Sequence, residues 1–530
     1  MIPIKNNRHP VFLVKPYSPP EISEQKTPLP EAYKYNWEPV NLKILAYYLE
    51  MAFPELLDIR IWHLMHKNEE KFFLECVQDQ HPLFIAFTEL DILINSVNHL
   101  AGEIKHCAPG TKTVVGGKHS SLLRTGDHIP FINIDYIIGG DGILSLVQLV
   151  RAMLEHSLPG DNPGLVEWDN QGIVIKDSRD AVRYDITKID GRILRSFPVT
   201  KHTMDEYIEK HQKHPALTGN APVRTVPLFT GNGCPYDCYF CQSPMDFGEQ
   251  SSRVMLRSAE DIADEVQWFI REYRVNNFFS MEPNLNLSHL LLVYKCLEKR
   301  GSSPVAFSGF IRAADIVKTH NRQILEELRR YGTRFLSTGL DVSFMDHEDI
   351  YNKQYTYSEL MECLNICREL GILLLATFVG DPALDRGSFS AQLETVKGLA
   401  IADIDIRLAI ALRHTAYYEQ VKEYLVPNPY QAGSGTQNSQ YFDRQNYRYQ
   451  TICIPGKITP EQTYSLVKHF YSTFFFSDKH LDYVEEMANR FPDTIPYFRQ
   501  QYSRKIPGAG SLSGRERKLL KILKGKNNAF

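Results

Sequence analysis

Two successive series of short apolar runs, each run separated from the next by an amphipathic stretch, constrain the fold of this chain most. Short apolar runs that alternate with helical patterns are typical of parallel β-strands joined by crossover helices. At 530 residues the chain is also too long for one ordinary domain. The sequence therefore predicts a multidomain α/β protein in which each series builds its own parallel sheet.

The first series predicts a doubly wound parallel sheet of five strands with intervening helices. The predicted strands are VFLV (11–14), DIRIWHL (58–64), LFIAF (83–87), KTVVGG (112–117) and DYIIGG (135–140). Sheets of this kind bind ligands in a crevice outside the carboxyl ends of their strands. Residues 157–200, with their Pro, Gly and Asp content, predict a linker with a hairpin near Asp169–Gly172.

The second series predicts six βα units and hence a partial (β/α)6 barrel. Its strands are read from TVPLFTGNG (225–233), NNFFSME (276–282), PVAFSGFI (304–311), TRFLSTGLD (333–341), LLLATFVGD (373–381) and DIRLAIALRH (405–414). Parallel barrels carry their active sites at the carboxyl ends of the strands. We expect one domain with its linker over 1–190, the barrel over 191–415, and an α-rich extension over 416–530.

The stretch GNGCPYDCYFCQSP (231–244) places Cys234, Cys238 and Cys241 directly after the first predicted barrel strand. A structural zinc site commonly uses two paired knuckles, and no second pair lies nearby in the sequence. A disulfide would use two of the three cysteines and leave the third over. Three thiolates on one tight loop suit an iron–sulfur cluster that keeps one iron open, so the spacing favours such a cluster.

Together with Phe240, the three cysteines match the CxxxCxxC loop of radical S-adenosylmethionine enzymes, and the chain resembles that family. The resemblance implies a [4Fe-4S] cluster whose open iron binds the amino and carboxylate groups of S-adenosylmethionine, with Phe240 near the adenine. The further S-adenosylmethionine contacts that it implies are with Glu282, Ser308, Arg312, Ser337, Asp341 and Gly380.

Three of these positions carry specific expectations from the resemblance. Glu282 ends the second barrel strand, where the family holds the methionine amino group with acidic residues. Arg312 could pair with a carboxylate, and an ordinary arginine at the barrel edge is the alternative interpretation. Gly380 lies in VGDP (379–382), where relatives often show a Gly-x-Pro-Gly-Glu turn, so the chain departs from the family pattern there.

The N-terminal series resembles the cobalamin-binding domain that precedes the barrel in one branch of the family, on the segments VVGGKHSS and DYIIGGDG. The cobalamin contacts that this resemblance implies are with Gly116, Gly117, Lys118, His119, Ser120, Gly139, Gly140, Asp141 and Gly142. After the first strand the chain reads VKPYSPPE and lacks the Asp-x-His-x-x-Gly loop of other cobalamin proteins. We therefore expect cobalamin without a histidine on cobalt; a plain flavodoxin-like sheet is the alternative.

Joined together, the two resemblances imply a cobalamin-dependent radical S-adenosylmethionine methyltransferase that methylates a carbon centre. One S-adenosylmethionine would yield a 5'-deoxyadenosyl radical that abstracts hydrogen, and methylcobalamin would then donate the methyl group. The substrate would be an unknown small molecule or peptide, and an external donor such as flavodoxin or ferredoxin would supply electrons. The sequence does not identify a catalytic side chain.

Several alternatives stay open at the level of sequence. Within the same family, cobalamin also supports ring contraction, cyclisation and methylation without hydrogen abstraction. A tRNA methylthiotransferase would place three further cysteines in the N-terminal domain, where this chain has only Cys76 and Cys107. A non-catalytic iron–sulfur carrier or binding module would explain the thiolates but not the six βα units.

Composition and charge limit the partners and the cellular location that the sequence predicts. A formal net charge of -4 gives no overall basic footprint, so no nucleic-acid partner is expected. No apolar run approaches the about 20 residues of a membrane-spanning helix, and we expect a cytoplasmic protein. The tyrosine-rich stretch 417–449 is predicted either to close over substrate near the barrel mouth or to form a packed extension.

Overall fold

A computed structural model describes most of the chain. The described residues are 8–17, 37–89, 93–211, 224–241, 254–340, 352–409, 411, 413–427, 450–505 and the single positions 514, 517, 519, 521 and 523. Asp341 and residues 428–449 of the tyrosine-rich stretch lie outside them. In the described part of the chain, no helix is both long and apolar enough to span a membrane.

The N-terminal region forms one eight-stranded sheet. Its strands are β1 (His9–Lys15), β2 (Leu57–His63), β3 (Phe84–Glu89), β4 (Lys112–Gly117), β5 (Tyr136–Ile138), β6 (Leu165–Trp168), β7 (Val174–Lys176) and β8 (Val199–Thr200). Strands β1 to β5 and β8 pair in parallel, and β6 and β7 add an antiparallel hairpin beside β5. All five predicted strands and the predicted hairpin are present, whereas the two-residue β8 was not predicted.

The order of the first five strands is that of a flavodoxin-like doubly wound sheet, 2-1-3-4-5. Its flanking helices are α1 (Val40–Ala52), α2 (Glu70–Gln80), α3 (Ile94–Cys107) and α4 (Ile143–Leu154). Alternate residues of β1 face opposite sides: Val11 and Leu13 pack in the cluster containing α1 and α4, and Phe12 and Val14 in the cluster containing α2 and α3. The switch point of this order, where ligands bind, lies between β1 and β3.

A linker carries the chain from this sheet to the next. It contains α5 (Gly191–Ser196) and α6 (Met204–His211). Leu194 of α5 shares an apolar cluster with Tyr48 of α1 and with Met255, which precedes the first long helix of the second region. The linker is therefore packed against both halves of the molecule.

The second region contains six parallel strands in chain order, with a short hairpin after the first. The strands are β9 (Thr225–Leu228), the hairpin β10 (Gly231–Asn232) and β11 (Met255–Leu256), then β12 (Asn277–Ser280), β13 (Ala306–Ser308), β14 (Phe335–Leu340), β15 (Leu373–Gly380) and β16 (Asp403–Leu408). The helices are α7 (Ala259–Tyr273), α8 (Leu287–Lys299), α9 (Ala313–Ile316), α10 (Thr319–Tyr331), α11 (Tyr357–Leu370) and α12 (Arg386–Lys397). Strands were correctly predicted at all six positions.

The six strands form two three-stranded sheets that meet between β13 and β14. There, the Ser337 amide donates to the Gly309 carbonyl at 2.9 Å and the Ile311 amide donates to the Ser337 carbonyl at 2.8 Å. Phe307 and Leu336 pack in the apolar cluster that includes the helices, so the alternating residues Ser308 and Ser337 lie on the other face of their strands. Closure of the six strands into a barrel stays a prediction.

The C-terminal region contains α13 (Ala416–Val421), β17 (Leu425–Pro427), β18 (Gln450–Ile452), α14 (Pro460–Phe474), α15 (Asp478–Arg490) and α16 (Ile495–Lys505). The sequence indicates helices near 460–475 and 478–490, where α14 and α15 lie, whereas α16 was not predicted. Leu373 and Ala402, at the amino ends of β15 and β16, pack in one cluster with α15 and α16. The Tyr497 hydroxyl donates to Asp403 Oδ2 at 3.3 Å. These helices therefore cover the amino ends of the strands, the end opposite the cysteine loop.

Candidate functional site

The cysteine loop lies at the carboxyl end of β9. The loop is entered through β10, which pairs antiparallel with β11 on the other side of the cysteines. The Cys241 amide donates to the Cys238 carbonyl at 3.0 Å, which tightens the turn between the last two cysteines. All three thiols are half-buried and free of disulfides. One short loop therefore carries three thiols at the strand end where parallel barrels place their active sites.

Burial controls the protonation of two of these thiols. It raises the pKa of Cys234, and it raises the pKa of Cys238 to about 11. Both groups are therefore neutral thiols in the metal-free protein near pH 7, and binding iron must displace their protons. Among the described residues, no three His, Cys, Asp or Glu side chains are grouped as they would be around one metal ion. In a [4Fe-4S] cluster each cysteine binds a different iron, so three separated thiols suit it.

Arg312 lies beside the cysteine loop, just after β13. Its guanidinium carbon lies 3.4 Å from the centre of the Tyr236 ring, and Tyr236 lies between Cys234 and Cys238 in the loop. All three guanidinium nitrogens are buried, and none has a hydrogen-bond partner among the described residues. Since buried guanidinium groups are normally paired, these nitrogens fit an anionic ligand group.

Glu282 follows β12 and is buried, with 3% of its surface exposed. Its Oε1 accepts from the Thr230 hydroxyl at 2.6 Å and from the Ser280 hydroxyl at 3.3 Å, and its Oε2 accepts from the Asn286 amide at 3.1 Å. A carboxylate has about four acceptor sites, so Oε2 keeps capacity for one more donor. This geometry fits the expected contact with an amino group, which stays a prediction.

The remaining predicted S-adenosylmethionine contacts lie on three neighbouring parallel strands. Ser308 ends β13, and its hydroxyl donates to the Phe278 carbonyl at 3.4 Å. Ser337 is buried at the junction of the two sheets. Gly380 ends β15, and its carbonyl accepts from the Ala409 amide at 3.1 Å. Their contact with S-adenosylmethionine, like that of Asp341 outside the described residues, stays a prediction.

Phe240 connects the cysteine loop to the C-terminal region. It packs against an apolar cluster that includes Tyr417, Val421 and Ile452. The Tyr417 amide also donates to the carbonyl of Tyr239, the residue before Phe240, at 3.2 Å. The first part of the tyrosine-rich stretch therefore contacts the cysteine loop, at the opposite end of the strands from α15 and α16.

Several residues that hold the loop in place could not be predicted from the sequence. Asp237 Oδ1 accepts from Asn352 Nδ2 and from Gln354 Nε2, each at 3.1 Å. Lys353, between these two amides, places its ammonium 5.3 Å from the centre of the Phe240 ring. More than 100 residues separate the two segments, so no local spacing pattern could have paired them. The PYD tripeptide between the first two cysteines was the available signal for these contacts, because it places the polar residues Tyr236 and Asp237 within the loop.

The glycines of the N-terminal sheet make close contacts within the protein. A Cβ atom on Gly117, where φ is +152°, would lie 2.3 Å from the Glu89 carbonyl oxygen. A Cβ atom on Gly139 would lie 1.9 Å from Ser178 Oγ. These two glycines therefore allow neighbouring segments of the chain to approach one another. The sequence-based expectation that they approach a corrin ring stays a prediction.

Ser121 joins the two glycine segments, which follow β4 and β5. Its hydroxyl donates to the Gly117 carbonyl at 2.7 Å and accepts from the Gly140 amide at 3.0 Å. The remaining predicted glycines, Gly116 and Gly142, flank these contacts at the end of β4 and at the start of α4. The two predicted cobalamin segments are thus brought together at the carboxyl edge of the sheet.

The polar residues predicted to contact cobalamin differ in their surroundings. Lys118 is half-buried, and His119 is buried with its ring edge-on to Phe131 at 6.1 Å between centres. The Ser120 amide donates to Glu89 Oε1 at 2.7 Å. The Ser120 hydroxyl is buried and has no hydrogen-bond partner among the described residues, so this group fits a polar ligand at the carboxyl end of β4.

Asp141 holds parts of the protein together. Its Oδ2 accepts from the Tyr184 amide at 2.5 Å, and its Oδ1 accepts from the Ile143 amide at 3.1 Å. Burial raises the pKa of Asp141 in spite of these two hydrogen bonds, which act in the opposite direction. Both oxygens therefore serve the linker and the start of α4, and contact with a cobalamin tail stays a prediction.

The family comparison supports the interpretation of the cysteine loop. Residues 228–389 match the model of the radical SAM superfamily, which confirms the radical S-adenosylmethionine resemblance. Among characterised relatives, the anaerobic magnesium-protoporphyrin IX monomethyl ester cyclase of Cereibacter sphaeroides is 23% identical over 313 residues. That alignment covers 58% of this chain and 47% of the cyclase, so the chain spans about half the length of this relative.

Two solved structures share the fold over most of the chain. The radical S-adenosylmethionine methyltransferase TsrM of Kitasatospora setae, solved with tryptophan and an S-adenosylmethionine analogue, aligns with a TM-score of 0.63 at 16% identity. This alignment covers 88% of this chain and 89% of TsrM, which has also been solved with cobalamin and a [4Fe-4S] cluster. OxsB, a cobalamin-dependent S-adenosylmethionine radical enzyme solved with aqua-cobalamin and S-adenosylmethionine, aligns with a TM-score of 0.63 at 13% identity, over 98% of this chain and 78% of OxsB.

Proposed function

We propose that this chain, which belongs to the radical S-adenosylmethionine superfamily, is a cobalamin-dependent methyltransferase that methylates a carbon centre of a small-molecule or peptide substrate. The observation that carries the proposal is the cysteine loop with Arg312 beside it. Three thiols and a buried guanidinium without a hydrogen-bond partner among the described residues meet at the carboxyl ends of parallel strands. A second, flavodoxin-like sheet precedes them in the chain.

In this proposal, the side chains of the second region bind and orient S-adenosylmethionine at the cluster. Cys234, Cys238 and Cys241 hold the cluster. Glu282 accepts from the methionine amino group, and Arg312 donates to the methionine carboxylate. Phe240, Ser308, Ser337, Asp341 and Gly380 complete the contacts. When bound, the reduced cluster supplies one electron for the cleavage of S-adenosylmethionine, and cobalamin supplies methyl transfer.

The first sheet holds cobalamin at its carboxyl edge in this proposal. Ser120 offers a buried hydroxyl there, and the segments around Gly116–Ser121 and Gly139–Gly142 form the floor. His119 packs against Phe131, which favours cobalamin binding without histidine on cobalt. The cobalamin-bound structures of TsrM and OxsB, which share the fold, support this assignment.

A polar contact joins the first sheet to the last barrel strand and would fix the distance between the two cofactors. Asp127, in the loop after β4, accepts from His414 Nε2 at 3.0 Å and from Arg413 at 3.3 Å. Arg413 and His414 follow β16. Burial alone would raise the pKa of Asp127, but His414, the Arg124 amide and Arg413 outweigh burial and lower it. The carboxylate is therefore charged in this contact.

The proposal extends to domain organisation. It assigns cobalamin to residues 1–190, the partial (β/α)6 barrel with S-adenosylmethionine to 191–415, and substrate contacts to the first part of 416–530. The contact of Tyr417 with the cysteine loop supports a substrate role for that segment. A flavodoxin or ferredoxin would reduce the cluster.

A second candidate function is a radical cyclisation or ring contraction on the same cofactors. The specific observation that favours it is the similarity to the magnesium-protoporphyrin cyclase. TsrM, with the same fold over 88% of this chain, is a methyltransferase, and its alignment covers more of the chain than that of the cyclase. We therefore place methyl transfer first.

The products of S-adenosylmethionine separate these functions. Anaerobic, reconstituted protein is incubated with reductant, S-adenosylmethionine and candidate substrates, and products are quantified by mass spectrometry. Radical methylation should give 5'-deoxyadenosine and S-adenosylhomocysteine in equal amounts with each methylated product. Deoxyadenosine without S-adenosylhomocysteine would indicate cyclisation or ring contraction. S-adenosylhomocysteine alone would indicate methyl transfer without hydrogen abstraction. Formation of neither compound would contradict the proposal.

A further inference from the structure

Four residues around the cysteine loop form a closed ring of contacts. The Tyr236 hydroxyl donates to Asp315 Oδ1 at 2.6 Å, and Asn284 Nδ2 donates to Asp315 Oδ2 at 2.9 Å. Asn284 Oδ1 accepts from the Arg312 amide at 3.0 Å. The Arg312 guanidinium then lies over the Tyr236 ring at 3.4 Å and closes the ring. We call these four residues the arginine frame.

The arginine frame joins segments that are distant in the sequence. Tyr236 belongs to the cysteine loop after β9, Asn284 follows β12, Arg312 follows β13, and Asp315 lies in α9. The frame therefore ties together the carboxyl ends of the first three parallel strands. Asp315 is buried and accepts from both neighbours, and Lys318 pairs with it from outside the ring. A carboxylate held by two hydrogen bonds and an ammonium group has little freedom to move.

The hydrogen bonds of the frame leave the Arg312 guanidinium unused. Its backbone amide is fixed by Asn284 and its face by Tyr236, yet its three buried nitrogens make no hydrogen bond in the described part of the chain. Burying hydrogen-bond donors without acceptors costs free energy unless a ligand supplies the acceptors. A planar guanidinium with its face already stacked presents its edge, which is the geometry for two parallel hydrogen bonds to a carboxylate.

We propose that Asp315 and Tyr236 are positioning residues that hold Arg312 ready for an anionic group of S-adenosylmethionine, and that they thereby couple occupancy of Arg312 to the conformation of the cysteine loop. The proposal rests on the function proposed above and adds the coupling. The physical basis is that Tyr236 belongs both to the loop and to the frame. An anion that fixes the guanidinium also fixes the ring beneath it. Restricting the ring restricts the loop residues on either side, which include Cys234 and Cys238.

The test uses two tyrosine variants of the full chain. Tyr236→Phe keeps the aromatic ring and removes the hydrogen bond to Asp315. Tyr239→Phe is the matched control, since it makes the same chemical change in the same loop at a half-exposed ring. Asp315→Ala is a harsher variant that breaks two bonds of the frame, and Tyr236→Phe keeps the test valid if that protein does not fold.

Two measurements are made on each protein. The first is the dissociation constant of S-adenosylmethionine for the anaerobic protein with its cluster, obtained by equilibrium dialysis. The second is amide hydrogen exchange of residues 234–241 in the metal-free protein, followed by mass spectrometry. We expect Tyr236→Phe to weaken binding about 3- to 10-fold, the equivalent of one hydrogen bond, and to speed exchange in the loop. Tyr239→Phe should match the wild type in both.

The outcomes separate a positioning role from general stabilisation. A Tyr236→Phe protein that exchanges faster in the loop but binds S-adenosylmethionine as the wild type does would overturn the coupling. If Tyr236→Phe and Tyr239→Phe have equal affinity for S-adenosylmethionine and equal exchange rates in the loop, the positioning role of the arginine frame is overturned. The proposed function is not affected by that result. A wild-type protein that holds a cluster and binds no S-adenosylmethionine would overturn both.

Discussion

Two sheet edges carry the two predicted cofactor sites, and they use their residues differently. At the cysteine edge, formed by the carboxyl ends of β9, β12 and β13, Arg312 keeps three buried nitrogens without a hydrogen-bond partner in the described part of the chain. At the glycine edge, formed by the segments 116–121 and 139–142, one buried hydroxyl, that of Ser120, lacks a partner among the described residues, whereas Gly117, Gly139 and Asp141 contact other parts of the protein. A buried polar group without a hydrogen-bond partner indicates a ligand. Glycines whose missing Cβ atoms make room for other parts of the same chain do not, on that ground alone, indicate one.

The largest expected effect is at the cysteine edge. Changing Cys234, Cys238 and Cys241 together to alanine should remove the cluster, because no other cysteines share a loop. Iron and sulfide, quantified after anaerobic reconstitution, should fall at least about tenfold, as expected when all thiolate ligands are lost. Cys296→Ala is the control and should keep the wild-type content. Retention of iron and sulfide in the triple variant would remove the distinction between the two edges.

The glycine edge should respond through stability. Gly139→Ala places a methyl group on Ser178 and should lower the free energy of unfolding by about 2 kcal/mol, a typical cost of overpacking. The double variant Gly139→Ala with Ser178→Gly should recover most of this loss in urea denaturation. If the double variant stayed as unstable as Gly139→Ala, the close contact with Ser178 would not be the reason for glycine at this position.

The same double variant sharpens the cobalamin assignment. Where Gly139 serves only the packing of the chain, the double variant should bind cobalamin with the affinity of the wild type. Where Gly139 also contacts the corrin, the variant should fold and bind cobalamin more weakly. Retained cobalamin, measured by absorbance after removal of unbound cofactor, decides between these results.

Arg312 should have an intermediate effect confined to ligand binding. Arg312→Lys keeps the positive charge and removes the planar fork, so binding of S-adenosylmethionine should weaken by about tenfold while cluster content stays unchanged. Equilibrium dialysis with the reconstituted protein measures the affinity. Arg413→Lys, at the contact with the first sheet, is a matched arginine-to-lysine control. An equal loss of affinity in both variants would contradict a specific role for Arg312.

Two acids, the buried Asp315 at the cysteine edge and the half-buried Asp141 at the glycine edge, should give the smallest effects and opposite pH dependences. Burial alone would raise the pKa of Asp315, but hydrogen bonds from Lys318, Tyr236 and Asn284 outweigh burial and lower it. Its contribution to stability is therefore present above the unfolded pKa of about 3.9 and is lost as pH falls through the folded value. Burial raises the pKa of Asp141, so its contribution is present below about 3.9 and is lost as pH rises through the folded value.

The corresponding asparagine variants test these signs. Asp315→Asn should flatten the loss of stability of the metal-free protein on the acid side. Asp141→Asn should remove a loss of stability that the wild type shows as pH rises. Urea denaturation between pH 3 and 7 measures both slopes. The comparison fails if the two variants change the slope in the same direction.

Much of the fold could be predicted because it depends on local patterns. Apolar runs of strand length located the five parallel N-terminal strands and the six parallel strands of the second region, since buried parallel strands are largely apolar. Ser258 opens the stretch SAED, a local pattern typical of a helix start, and its side chain accepts from the Asp261 amide and caps α7. Strand β8 has two residues, too few for a pattern, and its pairing with β2 depends on tertiary packing.

Part of the site could also be predicted, because it depends on a local pattern. The cysteine spacing is local and could be read directly. Arg312 was expected from the family resemblance, but Tyr236 and Asn284, which contact it, belong to other segments, and only folding brings them together. The close contacts of Gly117 and Gly139 with Glu89 and Ser178 could not be predicted, because a sequence shows that a Cβ is missing but not which atoms fill the space.

The central claim, an open-iron cluster on the cysteine loop that binds S-adenosylmethionine, is tested most directly by electron paramagnetic resonance. Anaerobic, reconstituted and reduced protein is measured with and without S-adenosylmethionine. We expect the signal of a reduced [4Fe-4S] cluster, and we expect its g values to change when S-adenosylmethionine binds the open iron. The Cys234, Cys238 and Cys241 triple alanine variant should give no such signal. A wild-type signal that S-adenosylmethionine leaves unchanged, or no cluster signal at all, would contradict the claim.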